Sequence, residues 1–180
     1  PFKEEIDNRI KLELEKEVLE LEQKTLRLQM NPHFIFNALN AIQDQIREGN
    51  NKNARYSLMK FSKLMRQILE HSMEERISLE QEISLIENYL SIEKITRENT
   101  FEFKISVAED IDVEEEGIPP MLIQPFLENS IIHGIASKEK VGLVEVKFSV
   151  NQSALIVEVV DNGIGRDAAK RLNSQIDQQH

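Results

Sequence analysis

Leu28-Gln29-Met30-Asn31-Pro32-His33-Phe34-Ile35-Phe36-Asn37-Ala38-Leu39-Asn40-Ala41-Ile42-Gln43-Asp44-Gln45-Ile46 is the stretch from which the rest of the chain can be placed. Leu28, Pro32, Ile35, Leu39, Ile42 and Ile46 recur at spacings of four and three, the seam of a helix that packs on other helices. His33, Asn37, Asn40 and Asp44 fall at i, i+4, i+7 and i+11, one polar stripe of the same helix. The pattern sets a histidine at the edge of a packed seam with its ring toward water. It reads as an ordinary exposed helical histidine or as a nucleophile, because an imidazole of pKa ~6.5 is neutral near pH 7.

Outward from this stretch, residues 3–48 contain no helix breaker except Pro32. A single helix of that length would extend roughly 70 Å. Leu14, Val18, Leu21 and Thr25 carry the seam toward the N-terminus, and Leu12, Leu19 and Leu26 form a second stripe every seven residues. Such a helix covers its apolar stripe most readily against a copy of itself, so a parallel coiled coil and a homodimer are expected. Pro32 removes a backbone donor, and a bend beside His33 is expected. Gly49-Asn50-Asn51 stops the helix, and a second one from about Asn53 to His71 has Ala54, Leu58, Phe61, Met65 and Ile68 at the same spacing. Two such hairpins from two chains make a four-helix bundle.

Ser78-Leu79-Glu80-Gln81 has the form of a capping box and opens a third helix reaching about Glu98. After Asn99 the period changes from 3.6 to 2. Phe101, Phe103, Ile105 and Val107 alternate with polar residues as a half-buried strand. Pro119-Pro120 is expected to open a helix that closes at Gly134. Residues 143–150 and 154–160 read as two strands joined by Asn151-Gln152-Ser153, and a last helix is expected near Arg166. The fold class is therefore α+β, helices first and a partial α/β sandwich after. The expected divisions are 1–27 (coiled-coil helix), 28–75 (hairpin), 76–99 (linking helix) and 100–180 (sandwich).

Composition narrows the function. The 180 residues carry a formal net charge of −10, which argues against nucleic acid as a partner, since that needs a basic surface. Six of the acids lie in residues 109–116, a run read as a solvated loop. With no cysteine there is no thiolate metal site and no cysteine nucleophile, and the four histidines lack zinc spacing, so no metal cluster is expected. No apolar run approaches the ~20 residues of a membrane helix. The chain begins at Pro1 and is expected to be a piece of something longer.

Two further stretches carry chemistry. Asp161-Asn162-Gly163-Ile164-Gly165 follows an apolar strand. A buried carboxylate there can accept from an exocyclic amine and the glycines let backbone approach a flat ligand; the same residues are equally good turn chemistry. Gln124, Glu128, Asn129 and His133 stand among large apolar neighbours in the helix after Pro120. The Asn129 carbonyl suits magnesium that keeps its waters, or a cap or core hydrogen bond.

Together these stretches resemble one family. Asn31-Pro32-His33-Phe34-Ile35-Phe36-Asn37-Ala38-Leu39-Asn40 is similar to the phosphoacceptor box of LytS/YehU-type sensor histidine kinases. Tyr89-Leu90-Ser91-Ile92-Glu93-Lys94 resembles that family's linking helix. Residues 119–134 resemble its N-box, and residues 161–165 the first glycine box of the ATPase fold shared with gyrase. The resemblance implies that His33, with Asn37 beside it, takes the γ-phosphoryl group of ATP and passes it to an aspartate on a response-regulator receiver domain. It implies that Asn129 holds magnesium, that Asp161 receives the adenine amine, and that His133, Gly163 and Gly165 complete the nucleotide site. The chain would be the cytoplasmic portion of a membrane-anchored bacterial sensor, with residues 71–78 a hinge for docking of the ATP half.

Three departures bear on activity. Phe34 follows His33 where many other histidine kinases have an acid, which leaves the base unassigned. Ile132 stands where relatives often carry lysine. No Gly-x-Gly-x-Gly lid motif occurs within the sequence. The competing reading is a dimeric signalling scaffold with a degenerate, non-catalytic ATPase-like domain. A free-standing ATP hydrolase fits poorly, because Pro125 lies four residues before Asn129 where gyrase-like enzymes have glutamate.

Overall fold

The computed structural model describes residues 32–135, 141–152, 154–163 and 165. The expected coiled coil, the bend at Pro32 and the last helix near Arg166 lie outside the described residues. Helix α1 is described over Pro32–Arg47. It ends in a Schellman motif: Asn50 N–H donates to Gln45 O, Gly49 N–H donates to Ile46 O, and Gly49 takes φ +77°. Helix α2, Asn51–His71, starts two residues before the expected Asn53.

The hairpin buries a different face from the one that the four-and-three spacing marks. On α1 the buried residues are Phe34, Ala38 and Ile42. Of the expected seam only Ile42 is among them, while Leu39 and Ile46 are 38% and 56% exposed. On α2, Ala54 and Ile68 are buried as expected, but Ser57 and Leu64 join them and Leu58 stays exposed. The cause is a third helix.

Helix α3, Leu79–Thr96, begins with the expected capping box, in which Ser78 Oγ accepts from Gln81 N–H and Ser78 N–H donates to Gln81 Oε1. It packs on α1 and α2, so the stripe of each helix that meets α3 becomes the core and the regular seam is left on the flank. Among its buried residues are Leu79, Leu85, Ile86, Tyr89, Leu90 and Ile92, with Glu82 and Asn88 as polar inclusions. Asn88 is satisfied across the interface by Gln67 Oε1 at 2.7 Å and Lys60 Nζ at 3.2 Å.

Strand β1, Ile77–Ser78, precedes α3 and pairs antiparallel with β3, Gly117–Ile118. Strand β2, Phe101–Val107, lies parallel to β4, Gly142–Asn151, which pairs antiparallel with β5, Ala154–Asp161. The order is β2-β4-β5. All three strands fall where the period-2 alternation predicts. Phe101, Val144, Val146 and Phe148 point into one hydrophobic core that is continuous with Phe34, Leu64, Tyr89 and Leu127. The hairpin, the linking helix and the sheet thus share a single apolar interior.

The stretch after Pro119-Pro120 departs from expectation. Helix α4 spans only Gln124–Asn129, and a π-helical turn, Ser130–Ile135, follows it. The helix cannot begin at the prolines because Met121 takes φ +59°, left-handed backbone. The Met121 N–H is instead held by the buried Glu82 carboxylate at 2.9 Å.

Candidate functional site

His33 stands in the first turn of α1 with its ring exposed, as the polar stripe predicts. Asn37, one turn on, brings its Nδ2 to 3.2 Å from His33 Nδ1 and 3.4 Å from Nε2. An amide nitrogen only donates, so the ring nitrogen is the acceptor in this contact. Phe34, the next residue, points inward and stacks on Tyr89 of α3 with ring centroids 5.1 Å apart. That stack was not foreseen from spacing. It fixes the rotation of α1, and with it the direction in which His33 faces.

Tyr89 lies where the helical part meets the Asn129 helix. Its hydroxyl donates to Glu93 Oε1 at 3.5 Å, and Glu93 in turn pairs with Arg97 Nε at 2.9 Å. Burial, then the charges of Glu93 on α3 and Glu128 on α4, push its phenol well above the ordinary range. It therefore stays neutral and serves as a packing element with a satisfied polar tip.

Asn129 is the last residue of α4 and is exposed, at the point where the α-helix widens into the π turn. Single π turns inside helices recur at functional sites, because the extra residue per turn re-aims side chains. The turn packs on β4 and β5. Its approach to β4 requires a glycine: a Cβ on Gly142 would lie 2.1 Å from Ile135 Cγ2. Gln124 Nε2 donates to Glu128 Oε1 at 2.9 Å on the same helix. Ile132 is 41% exposed. The side chain of His133 lies outside the described residues.

Asp161 ends β5 and is half-buried, not buried as its apolar strand suggests, because β5 is the edge strand among the described residues. Its Oδ1 accepts from Gly163 N–H at 2.9 Å, an Asx turn. Asn162 continues the ladder, its Oδ1 accepting from Leu143 N–H at 2.8 Å. Gly165 has φ +77° with open space around its Cα. The carboxylate thus serves the turn at the strand end. The π turn that follows Asn129 packs on β4 and β5, the strand that ends at Asp161, whereas His33 belongs to the helical part. Among the described residues no three histidine, aspartate or glutamate side chains cluster as a metal cage.

The expected hinge at residues 71–78 is shortened. Ile77 and Ser78 are paired with β3, and Leu79 N–H donates to Glu116 O at 2.8 Å. Only residues 72–76 remain outside helix and strand.

The fold sets a helical hairpin bearing an exposed histidine on a core shared with a mixed α/β half. Residues 21–101 match the histidine kinase family model. The chain is 37% identical over 153 residues to the sensor protein LytS of Enterococcus faecalis, covering 85% of this chain and 26% of that protein. It is 37% identical over 147 residues to the sensor histidine kinase YpdA of Escherichia coli, covering 81% and 25%. With LytS of Staphylococcus epidermidis the identity is 35% over 142 residues, covering 79% and 24%. The chain belongs to the LytS-type sensor histidine kinase family and spans about a quarter of the length of these curated relatives. No helix of the described residues is long and apolar enough to cross a membrane.

Proposed function

We propose that this chain is the phosphoacceptor region and part of the ATP-binding region of a two-component sensor histidine kinase. His33 attacks the γ-phosphoryl group of ATP in line and then yields it to an aspartate on a response-regulator receiver domain. The observation that carries this reading is the exposed imidazole of His33, contacted by Asn37 one turn on, inside the segment that matches the family model.

Asn129 would hold magnesium, with Asp161 on the adenine amine and His133, Gly163 and Gly165 lining the base and ribose. Magnesium there would neutralise phosphate charge. The Asn37 contact orients the imidazole, and the Phe34–Tyr89 stack sets the angle of the helix. Residues 72–76 are the pivot left for bringing the two parts together. The flank of α1 and α2 that carries Leu39, Ile46, Leu58 and Met59 is exposed in the single chain, and a second copy would cover it to complete a four-helix bundle. The divisions at 28–75, 76–99 and 100–180 would then be functional parts sharing one core. Membrane anchoring would come from sequence outside this chain.

The test is labelling of the intact protein with ATP and magnesium. The expected product is an acid-labile, base-stable phosphate that is lost by at least about a hundredfold in His33→Gln. Equal labelling of that variant and wild type would overturn the assignment.

A further inference from the structure

Glu82 is the one acid inside the described core with no cation against it. It is 1% exposed, in the first turn of α3. Its carboxylate accepts from Met121 N–H at 2.9 Å and also from the backbone of Ile123. Those two residues belong to the segment 119–123 that delivers the chain into α4. The base of α3 already grips this region through the β1–β3 pair and through Glu80 N–H donating to Val113 O at 2.9 Å. Glu82 extends the grip by one helical turn, to the threshold of the Asn129 helix.

We propose that Glu82 is a proton-operated clasp between α3 and residues 119–123, closed when its carboxyl is protonated and loosened when it ionises. The surroundings decide the sign. The small cavity beside it is lined by Leu64 and Ile68 of α2, Leu85, Ile86 and the neutral Tyr89 of α3, Met121, and Gln124 and Leu127 of α4, with no cation among them. The nearest acid on α4, Glu128, is bonded to Gln124, and Arg97 is taken by Glu93. A carboxylate buried without a counter-ion is disfavoured, and two backbone N–H groups offset that only in part. Burial accordingly lifts the carboxyl from 4.5 to about 7, against the lowering effect of Met121 and Ile123.

Two features make the clasp able to open. Met121 at φ +59° is in a backbone region that a non-glycine residue keeps only while its surroundings hold it there. Beside Glu82 lies a cavity of about 20 Å³, enough for a single water to begin hydrating the ionised carboxylate. Opening frees the segment that positions α4, so the Asn129 helix would lose its anchor as pH rises through neutrality. That last consequence rests on the nucleotide reading; the clasp itself does not.

The experiment is NMR on the whole chain. The Glu82 carboxyl carbon is followed through pH, together with amide-exchange protection at Met121 and Ile123 corrected for intrinsic rates. The expected result is a carboxyl midpoint within about one unit of 7, with protection of both amides falling more than about tenfold between about pH 6 and about pH 8.5. In Glu82→Gln, which mimics the protonated form, the protection should not change with pH. A midpoint near the ordinary glutamate value, protection that ignores the carboxyl's titration, or the same loss in Glu82→Gln each overturns the clasp. The first two outcomes are read on wild-type protein and need no variant to fold. None of the three bears on whether ATP binds.

Discussion

The two ends of the proposed phosphoryl path are built by opposite means. His33 stands on an exposed helical turn, oriented by Asn37 and by the stack of its neighbour Phe34. Asn129 is approached through layered anchors: the β1–β3 pair, the Glu82 carboxylate on Met121 and Ile123, and the close seat of Ile135 over Gly142. A nucleophile that must meet a nucleotide and then a second protein gains from exposure. A nucleotide site gains from geometry set in advance, because ordering it at each encounter would cost binding energy. Exposure at one end and anchoring at the other is the division of labour the proposed reaction requires.

The comparison can be broken most sharply at Phe34. Phe34→Ala removes a ring that is 4% exposed and leaves Tyr89 without its stacking partner. The expected cost is about 3–5 kcal/mol in urea unfolding. A loss under about 1 kcal/mol would mean that α1 is not held by α3, and that the difference between the two ends has been drawn too strongly.

The pH dependence comes next in size. Glu82 has a folded proton affinity raised to about 7 from 4.5, so the folded chain holds more protons than the unfolded one between those values. Its contribution is fully present below pH 4.5 and is lost as pH rises through about 7. The stability of wild type relative to Glu82→Gln should therefore fall by up to about 3 kcal/mol between about pH 4 and about pH 8.5. A difference that stays level, or rises with pH, shows that the anchored end does not depend on a buried charge.

Smaller effects sharpen the picture. Gly142→Ala should cost about 1–3 kcal/mol, because its Cβ would meet Ile135 Cγ2 at 2.1 Å. A double-mutant cycle with Ile135→Ala should show strong coupling between them. Ser78→Ala removes the side chain that caps α3 and should cost about 1 kcal/mol in thermal or urea unfolding. Ser78 also lies in β1, so a loss well beyond that would show that cap and strand pair fold as one unit.

Much of the fold was readable without coordinates wherever the signal was local. Gly49 ends α1, Ser78 and Gln81 cap α3, and the alternation from Phe101 to Val107 is a strand, because caps, turns and pleats depend on neighbours a few residues away. The prolines at 119 and 120 misled for the opposite reason. They suit a helix start, but a carboxylate 39 positions earlier in the chain holds the next N–H and keeps the helix from beginning there. Of the site, His33, Asn37, Asn129 and Asp161 were visible as residue types in a pattern. Glu82 was not read as special, although a charge at i+3 from Leu79 and i−4 from Ile86 on a packed helix was the available sign.

The long helices, the three long strands, their order and the α+β class followed from short-range periodicity and side-chain type, as did the candidate residues for phosphoryl chemistry; the two-residue strands β1 and β3 and the π turn did not. Tertiary structure alone decided which stripe of α1 is buried, how short α4 is, how little of the hinge is left, and where an acid sits without a counter-ion. Each of those depends on which surface arrives from a distant part of the chain. Here that surface is α3, against which the hairpin, the sheet and residues 119–123 all find their places.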